Sequence, residues 1–209
     1  MRSQVSVTPK VQYQKVFSQR RKRIGLYGGT FNPVHNAHLL VADQVGRTLC
    51  LDKVLLMPDM IPPHVDKKSA IAADYRVDML KLATKDNPML GLELAEIERG
   101  GVSYTYDTIK ELKERHPDTD YYFIIGGDMV DYLPKWHRIH ELMRMVNFVG
   151  VRRPGAENKS DYPVIWVDVP EVDFSSTDIR QRCHDGRSIK YMVPESVEKY
   201  IKEHQLYIE

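Results

Sequence analysis

Cysteine is scarce in this 209-residue chain: Cys50 and Cys183 are the only two. Neither forms a CxxC pair or stands at metal-ligand spacing from a second donor, which excludes a zinc ribbon, a redox dithiol and a disulfide framework. Two free structural thiols suit a reducing, cytoplasmic setting. Long apolar runs are also missing. No stretch approaches the roughly 18 consecutive apolar residues of a membrane span, so no membrane is expected as a partner. Internal repeats and low-complexity tracts are absent as well. Acid is absent from one part of the chain: residues 1–23 hold seven Lys or Arg and no Asp or Glu. The remainder therefore carries 23 basic against 29 acidic residues, although the net charge of the whole is +1. A body that is net acidic is not built to coat a polyanion, so no nucleic acid is expected as a partner. The basic segment has no h-region and reads as an N-terminal extension over 1–22, disordered or lightly docked, rather than a targeting peptide.

From Ile24 onward, short apolar runs alternate with amphipathic segments. Strands are predicted at Arg23–Tyr27, Lys53–Met57, Leu90–Leu94, Tyr121–Ile125, Asn147–Val151 and Val164–Val167. Helices are predicted at His38–Leu49, Asp74–Thr84, Thr105–Arg115, Trp136–Met145, Ser176–His184 and Pro194–His204, with a helical turn at Asp128–Leu133 stopped by Pro134. Pro58, Pro62 and Pro63 rule out regular structure around them. Ala95–Val102, with Gly100-Gly101, reads as a loop, and Arg152–Asp161 as a mobile one. The alternation defines an α/β fold: a doubly wound, Rossmann-like parallel sheet with helices on both faces and a small C-terminal helical part. One domain over 23–209 is expected, and homo-oligomerisation stays open.

The chain is organised around Ile24–His38, IGLYGGTFNPVHNAH. A strand runs into Gly28-Gly29, where the backbone can leave it in conformations that a side chain forbids, so that main-chain N–H groups approach a polyphosphate. The helix pattern that follows points its N-terminal N–H groups and dipole at the same place. His35 and His38 lie one turn apart and can both donate to phosphate oxygens. Later come Phe174-Ser175-Ser176-Thr177-Asp178-Ile179-Arg180, where hydroxyls cap a helix and a guanidinium follows one turn on. The predicted strand Tyr121–Ile125 ends at Gly126-Gly127-Asp128. A strand end of this kind is where an open α/β sheet binds ligands, and the acid there can accept ribose hydroxyls.

Gly28 to His38 resembles the first signature of the HxGH nucleotidyltransferases, in particular the bacterial nicotinate mononucleotide adenylyltransferases, with Ala37 in place of the usual glycine. Phe174 to Arg180 resembles their second signature, I-S-S-T-x-I-R, with Phe for the first Ile. The resemblance covers roughly residues 23–209. It implies that Gly28, Gly29, Thr30 and Phe31 lie against ATP with Asp128. It also implies that Ser175, Ser176 and Thr177 line the nucleotide and that Arg180 binds its phosphates. Thr105, in the helix-capping string Ser103–Thr108, would help to hold the pyridine substituent, and Trp136 would stack on nicotinate. Pro62-Pro63-His64 resembles the family's P-P-H-K element, which brings His64 to the mononucleotide. Val65 stands where lysine is usual, with Lys67 and Lys68 nearby.

The implied reaction is in-line attack of the 5′-phosphate of nicotinate mononucleotide on the α-phosphorus of ATP, with pyrophosphate leaving. The nucleophile is already an anion, so alignment and charge neutralisation suffice. His35, His38 and Arg180 would supply them, with His38 assigned to the charge developing at the α-phosphate. Mg2+ is expected to arrive with ATP, held by phosphates and water, and no protein metal site is expected. ATP and nicotinate mononucleotide are thus the expected partners. The alternatives are a pantetheine-phosphate or nicotinamide mononucleotide adenylyltransferase and a non-catalytic nucleotide sensor. A dinucleotide-binding oxidoreductase fits least, because the first turn lacks GxGxxG and offers two histidines instead.

Overall fold

Residues 20–63, 70–152 and 160–208 are described in a computed structural model of the chain. Their elements run β1 (Lys22–Gly29), α1 (Asn36–Thr48), β2 (Lys53–Pro58), α2 (Ala73–Thr84) and β3 (Leu90–Leu92). After these come α3 (Ala95–Arg99), α4 (Thr105–Arg115), β4 (Thr119–Gly126), α5 (Gly127–Val130), α6 (Ile139–Leu142) and β5 (Asn147–Arg152). The last three are β6 (Val164–Asp168), α7 (Ser176–His184) and α8 (Glu195–Glu203).

All six strands are parallel, in the order β3-β2-β1-β4-β5-β6. Parallel strands are covered on both faces, which is why their interiors read as apolar runs rather than alternating ones. One core cluster joins Val45, Val54, Leu80, Ile179, Val197 and Ile201. A second, containing Leu26, Ile109, Leu112, Phe123 and Phe148, covers the α4 side. The winding reverses between β1 and β4. Their C-terminal ends, at Gly29 and Gly126, border the crevice that such a switch point leaves open.

Three predicted segments differ from the structure. Ala95–Arg99 is a short helix, not a loop: Glu96 and Glu98 favour its first turn, and it stops at Gly100, where φ is +71°. The helix expected over Trp136–Met145 shrinks to α6. A 3-10 turn at Leu133–Lys135 leaves Trp136 extended, and Arg138 takes a left-handed φ of +53° before α6 begins. The expected turn Asp128–Leu133 is the shorter α5. The extension up to Gln19, His64, Val65, Lys67, Lys68 and most of the 152–161 loop lie outside the described residues.

Candidate active site

The glycines at the end of β1 are explained by close approach, not by unusual dihedral angles. Both remain within the strand, and neither has a positive φ. A Cβ on Gly28 would meet the Phe123 ring at 3.0 Å, and one on Gly29 would meet the Phe31 ring at 3.2 Å. The left-handed residue is Phe31 itself, at φ +48°. That conformation swings its buried ring under His38, with 5.0 Å between centroids. Phe31 thereby supports a histidine from beneath.

His35 is the N-cap of α1, and His38 occupies its first turn. Their rings stack at 3.6 Å between centroids. The His35 backbone N–H donates to His38 Nδ1 at 3.2 Å, which assigns the ring proton of neutral His38 to Nε2 and leaves that nitrogen as a donor for a ligand. His35 Nδ1 is buried with no hydrogen-bond partner among the described residues. Burial pushes His35 down to about 4. Burial, reinforced by His35, holds His38 well below its ordinary value. Both rings are neutral donors at neutral pH.

Residues far apart in sequence fasten this turn. Ser175 caps α7 by accepting from the Asp178 N–H at 3.0 Å, as its hydroxyl predicts. Ser176 Oγ donates to the Pro33 carbonyl at 2.9 Å. Arg180 donates from Nη1 to the Asn32 carbonyl at 2.7 Å and from Nη2 to Thr177 Oγ1 at 3.2 Å. The two signature strings are therefore one surface, although 143 to 148 residues separate the bonded pairs.

Two cavities open at the switch point and share Tyr27 and Gly126. One, of about 420 Å3, is lined by His35, Ala37, His38, Gly127, Ser175 and Ser176 among others. The other, of about 250 Å3, takes in Gly28, Gly29, Thr30, Thr105 and Trp136. The first is polar and holds the histidines; aromatic and apolar groups dominate the second, including Phe123, Met57 and Ile125. Trp136 stands edge-on to Phe123 and Phe148, each 5.7 Å away between centroids, so its position is fixed by packing. Thr105 opens α4 and lines the same cavity.

Gly28, Gly29, Thr30, Ser175, Ser176, Thr105 and Trp136 are thus gathered around the two cavities with the histidine pair. Thr177 is exposed on α7, engaged by Arg180. Asp128 is exposed in the first turn of α5, one residue past the cavity wall.

Sequence reasoning missed a set of buried charges. Arg76, on α2, is 2% exposed and donates from Nη1 to the carbonyls of Thr30 and Asp59, at 2.9 and 2.8 Å. The Asp59 carboxylate lies 3.5 Å from the same nitrogen and accepts from the Thr30 hydroxyl at 2.8 Å. Burial lowers Arg76 and raises Asp59, and each opposes the shift of the other. Glu96, also buried, accepts from Thr108 Oγ1 at 2.9 Å. Burial pushes its carboxyl up against the hydroxyls that hold it down. Asp59 and Glu96 both face the smaller cavity. Arg76 reads from sequence as one more charge on an amphipathic helix; only the depth of α2 against the sheet reveals it.

A doubly wound parallel sheet with two cavities at its switch point, and a histidine pair at a helix N-terminus on the wall of one, defines a nucleotide-handling transferase of the α/β class. The cytidylyltransferase-like family model matches residues 26–182. A protein of Enterococcus faecalis named "Probable nicotinate-nucleotide adenylyltransferase" is 58% identical over 197 residues, covering 94% of this chain and 90% of its own length. One of the same name from Lactiplantibacillus plantarum is 57% identical over 198 residues, covering 95% and 94%. The chain belongs to the nicotinate-nucleotide adenylyltransferase family of the cytidylyltransferase-like proteins. Its fold is shared with the nicotinic acid mononucleotide adenylyltransferase of Plasmodium falciparum, solved in complex with NaAD. That likeness has a TM-score of 0.75 at 22% identity and covers 89% of this chain and 97% of the other.

Proposed function

We propose that the chain transfers the adenylyl group of ATP to nicotinate mononucleotide, giving nicotinate adenine dinucleotide and pyrophosphate in NAD biosynthesis. The observation that carries the reading is the pair of cavities meeting at Tyr27 and Gly126, one beside the stacked histidines and one walled by Trp136 and Thr105. ATP would occupy the first and the mononucleotide the second, so that its 5′-phosphate meets the α-phosphorus where the cavities join. Residues 23–209 would form the catalytic unit.

In this reading His38 Nε2 donates to the oxygens that gain charge, His35 supports it and shares the phosphates, and Arg180 holds the departing pyrophosphate end. Ser175, Ser176 and Thr177 would shape the ATP site, with Phe31 supporting His38 from beneath. Gly28, Gly29 and Thr30 line the smaller cavity and would meet ATP only where the two sites join, and Asp128 would take the ribose. The Thr105 hydroxyl, at the positive N-terminal end of α4, would favour a carboxylate over a neutral amide. His64 would reach the mononucleotide. Among the described residues no group of three or more His, Cys, Asp or Glu converges on one point. Glu171 and Asp173 nevertheless line the larger cavity, and their oxygens suit the water shell of a magnesium ion carried by the phosphates. When bound, such an ion supplies charge neutralisation on the polyphosphate. Among the described residues no helix is long and apolar enough to cross a membrane.

The test is pyrophosphate release from ATP and magnesium with nicotinate and nicotinamide mononucleotides in parallel. Strong preference for the acid is expected. Equal use of the amide would overturn the carboxylate assignment, and release with neither would remove the transferase reading.

A further inference from the structure

After α8 the chain folds back through two left-handed residues, Gln205 at φ +51° and Tyr207 at φ +66°. Residues other than glycine adopt this conformation rarely, and it persists where the surroundings fix it. Between them Leu206 is buried in the core, and its N–H donates to the Ile201 carbonyl at 3.0 Å. This turn delivers a long-range contact. The Tyr207 hydroxyl donates to Asn32 Oδ1 at 2.9 Å, across 175 residues.

Asn32 lies between Phe31 and Pro33 in the turn that leads to the histidines, and it is 6% exposed. Its carbonyl is the acceptor for Arg180 Nη1 at 2.7 Å. One residue thus receives Tyr207 on its side chain and Arg180 on its backbone. Burial raises the Tyr207 phenol while Arg180 and Arg76 oppose the rise, which places both guanidinium groups within electrostatic reach of the ring.

We propose that Tyr207 is a positioning residue for adenylyl transfer. Its hydroxyl locks the Asn32 side chain, the locked residue fixes the carbonyl that holds Arg180, and the guanidinium is thereby aimed at the polyphosphate. The proposal rests on the reading of Arg180 given above. Tyr207 touches no substrate in this scheme, and its contribution passes entirely through Asn32.

The test is a double-mutant cycle of Tyr207→Phe, which keeps the ring and removes the hydroxyl, with Arg180→Ala, measured as kcat/KM for ATP. Tyr207→Phe alone is expected to lower kcat/KM for ATP about tenfold and to leave KM for nicotinate mononucleotide within twofold. In the Arg180→Ala background the same change should cost less than twofold. A tenfold loss in both backgrounds, or none in either, overturns the proposal and leaves the Arg180 reading intact. Near-normal kcat/KM in Arg180→Ala alone removes the polyphosphate role of Arg180, and this proposal with it. Val197→Ala, in the buried face of α8, is the control for general loosening. It should lower the thermal midpoint at least as much and keep kcat/KM for ATP within twofold; a loss equal to that of Tyr207→Phe would again overturn the proposal.

Discussion

The imidazole rings of His35 and His38 lie face to face, 3.6 Å between centroids and 20° from parallel, joined through the His35 N–H and His38 Nδ1. Two imidazolium ions at that distance would repel each other strongly. Burial removes the conflict by keeping both neutral. In the proposed reaction the pair would act on phosphate as two neutral dipolar donors. Removing one donor of this kind costs about 2.7–4 kcal/mol in the transition state. His38→Ala is expected to lower kcat about a hundredfold or more while the protein stays folded. Steady-state kinetics beside a thermal melt check this, and near-normal turnover would sink the mechanism.

The same burial sets a pH dependence. Both folded-state values lie below the unfolded 6.5, with His35 at about 4. The unfolded chain therefore binds more protons between these limits. Stability contributed by the rings is complete above pH 6.5 and is lost as pH falls toward 4, about 3 kcal/mol for His35. The thermal midpoint should drop over this window more steeply in the native protein than in His35→Asn. The kcat/KM profile should show no loss of activity as pH rises from 6 to 8, since both imidazoles are already neutral there. A limb near 6.5 that falls as pH rises would show that charged imidazoles bind the substrate; one that rises reports the substrate phosphates, whose second ionisation lies at about 6.

Glycine replacements separate packing from ligand space. A Cβ at Gly28 collides with Phe123, whereas one at Gly126 meets nothing within 4 Å and points into open space between the cavities. Gly28→Ala is expected to cost about 1–3 kcal/mol of stability. Gly126→Ala should melt like the native protein and raise KM for at least one substrate. The reverse pattern would show that the crevice is not where the ligands meet.

Arg76→Ala strands the buried Asp59 carboxylate and frees the Thr30 and Asp59 carbonyls. Breaking a buried pair from one side costs about 3–5 kcal/mol. Chemical denaturation of Arg76→Ala should show a loss of that size, and a loss below about 1 kcal/mol would show that the pair is not buried in solution.

Trp136→Phe keeps an apolar wall but removes the larger ring. If the pyridine stacks there, KM for nicotinate mononucleotide should rise about three- to tenfold, with KM for ATP unchanged. An equal rise for both substrates would mean that Trp136 acts only through its packing on Phe123 and Phe148.

Nearly all of the sheet was legible because buried parallel strands announce themselves as apolar runs bounded by turn residues. The histidine and serine–arginine strings were legible as units, since each is local. What sequence could not show is how they are bound together. Ser176 finding Pro33 and Tyr207 finding Asn32 depend on how α7 and the turn after α8 come back to the Asn32–Pro33 turn that follows β1. Arg76, Asp59 and Glu96 escaped because a charge carries no local mark of its depth. The helix expected from Trp136 failed for a local reason: Pro134 tightens the chain into a 3-10 turn, and Arg138 adopts a left-handed angle that periodicity does not encode.

The cavities share Tyr27 and Gly126, which stand at the ends of two adjacent strands, and they draw most of their other walls from different connections. Neighbouring strands keep a spacing of about 4.8 Å whatever their side chains. If the substrates meet there as proposed, the trajectory of the transferred group would be inherited from the main chain, while the choice of acceptor would reside in the connections over one side. On that reading the architecture would be modular: the acceptor side could be rebuilt by exchanging loops, with the donor side and the line of attack left as they are.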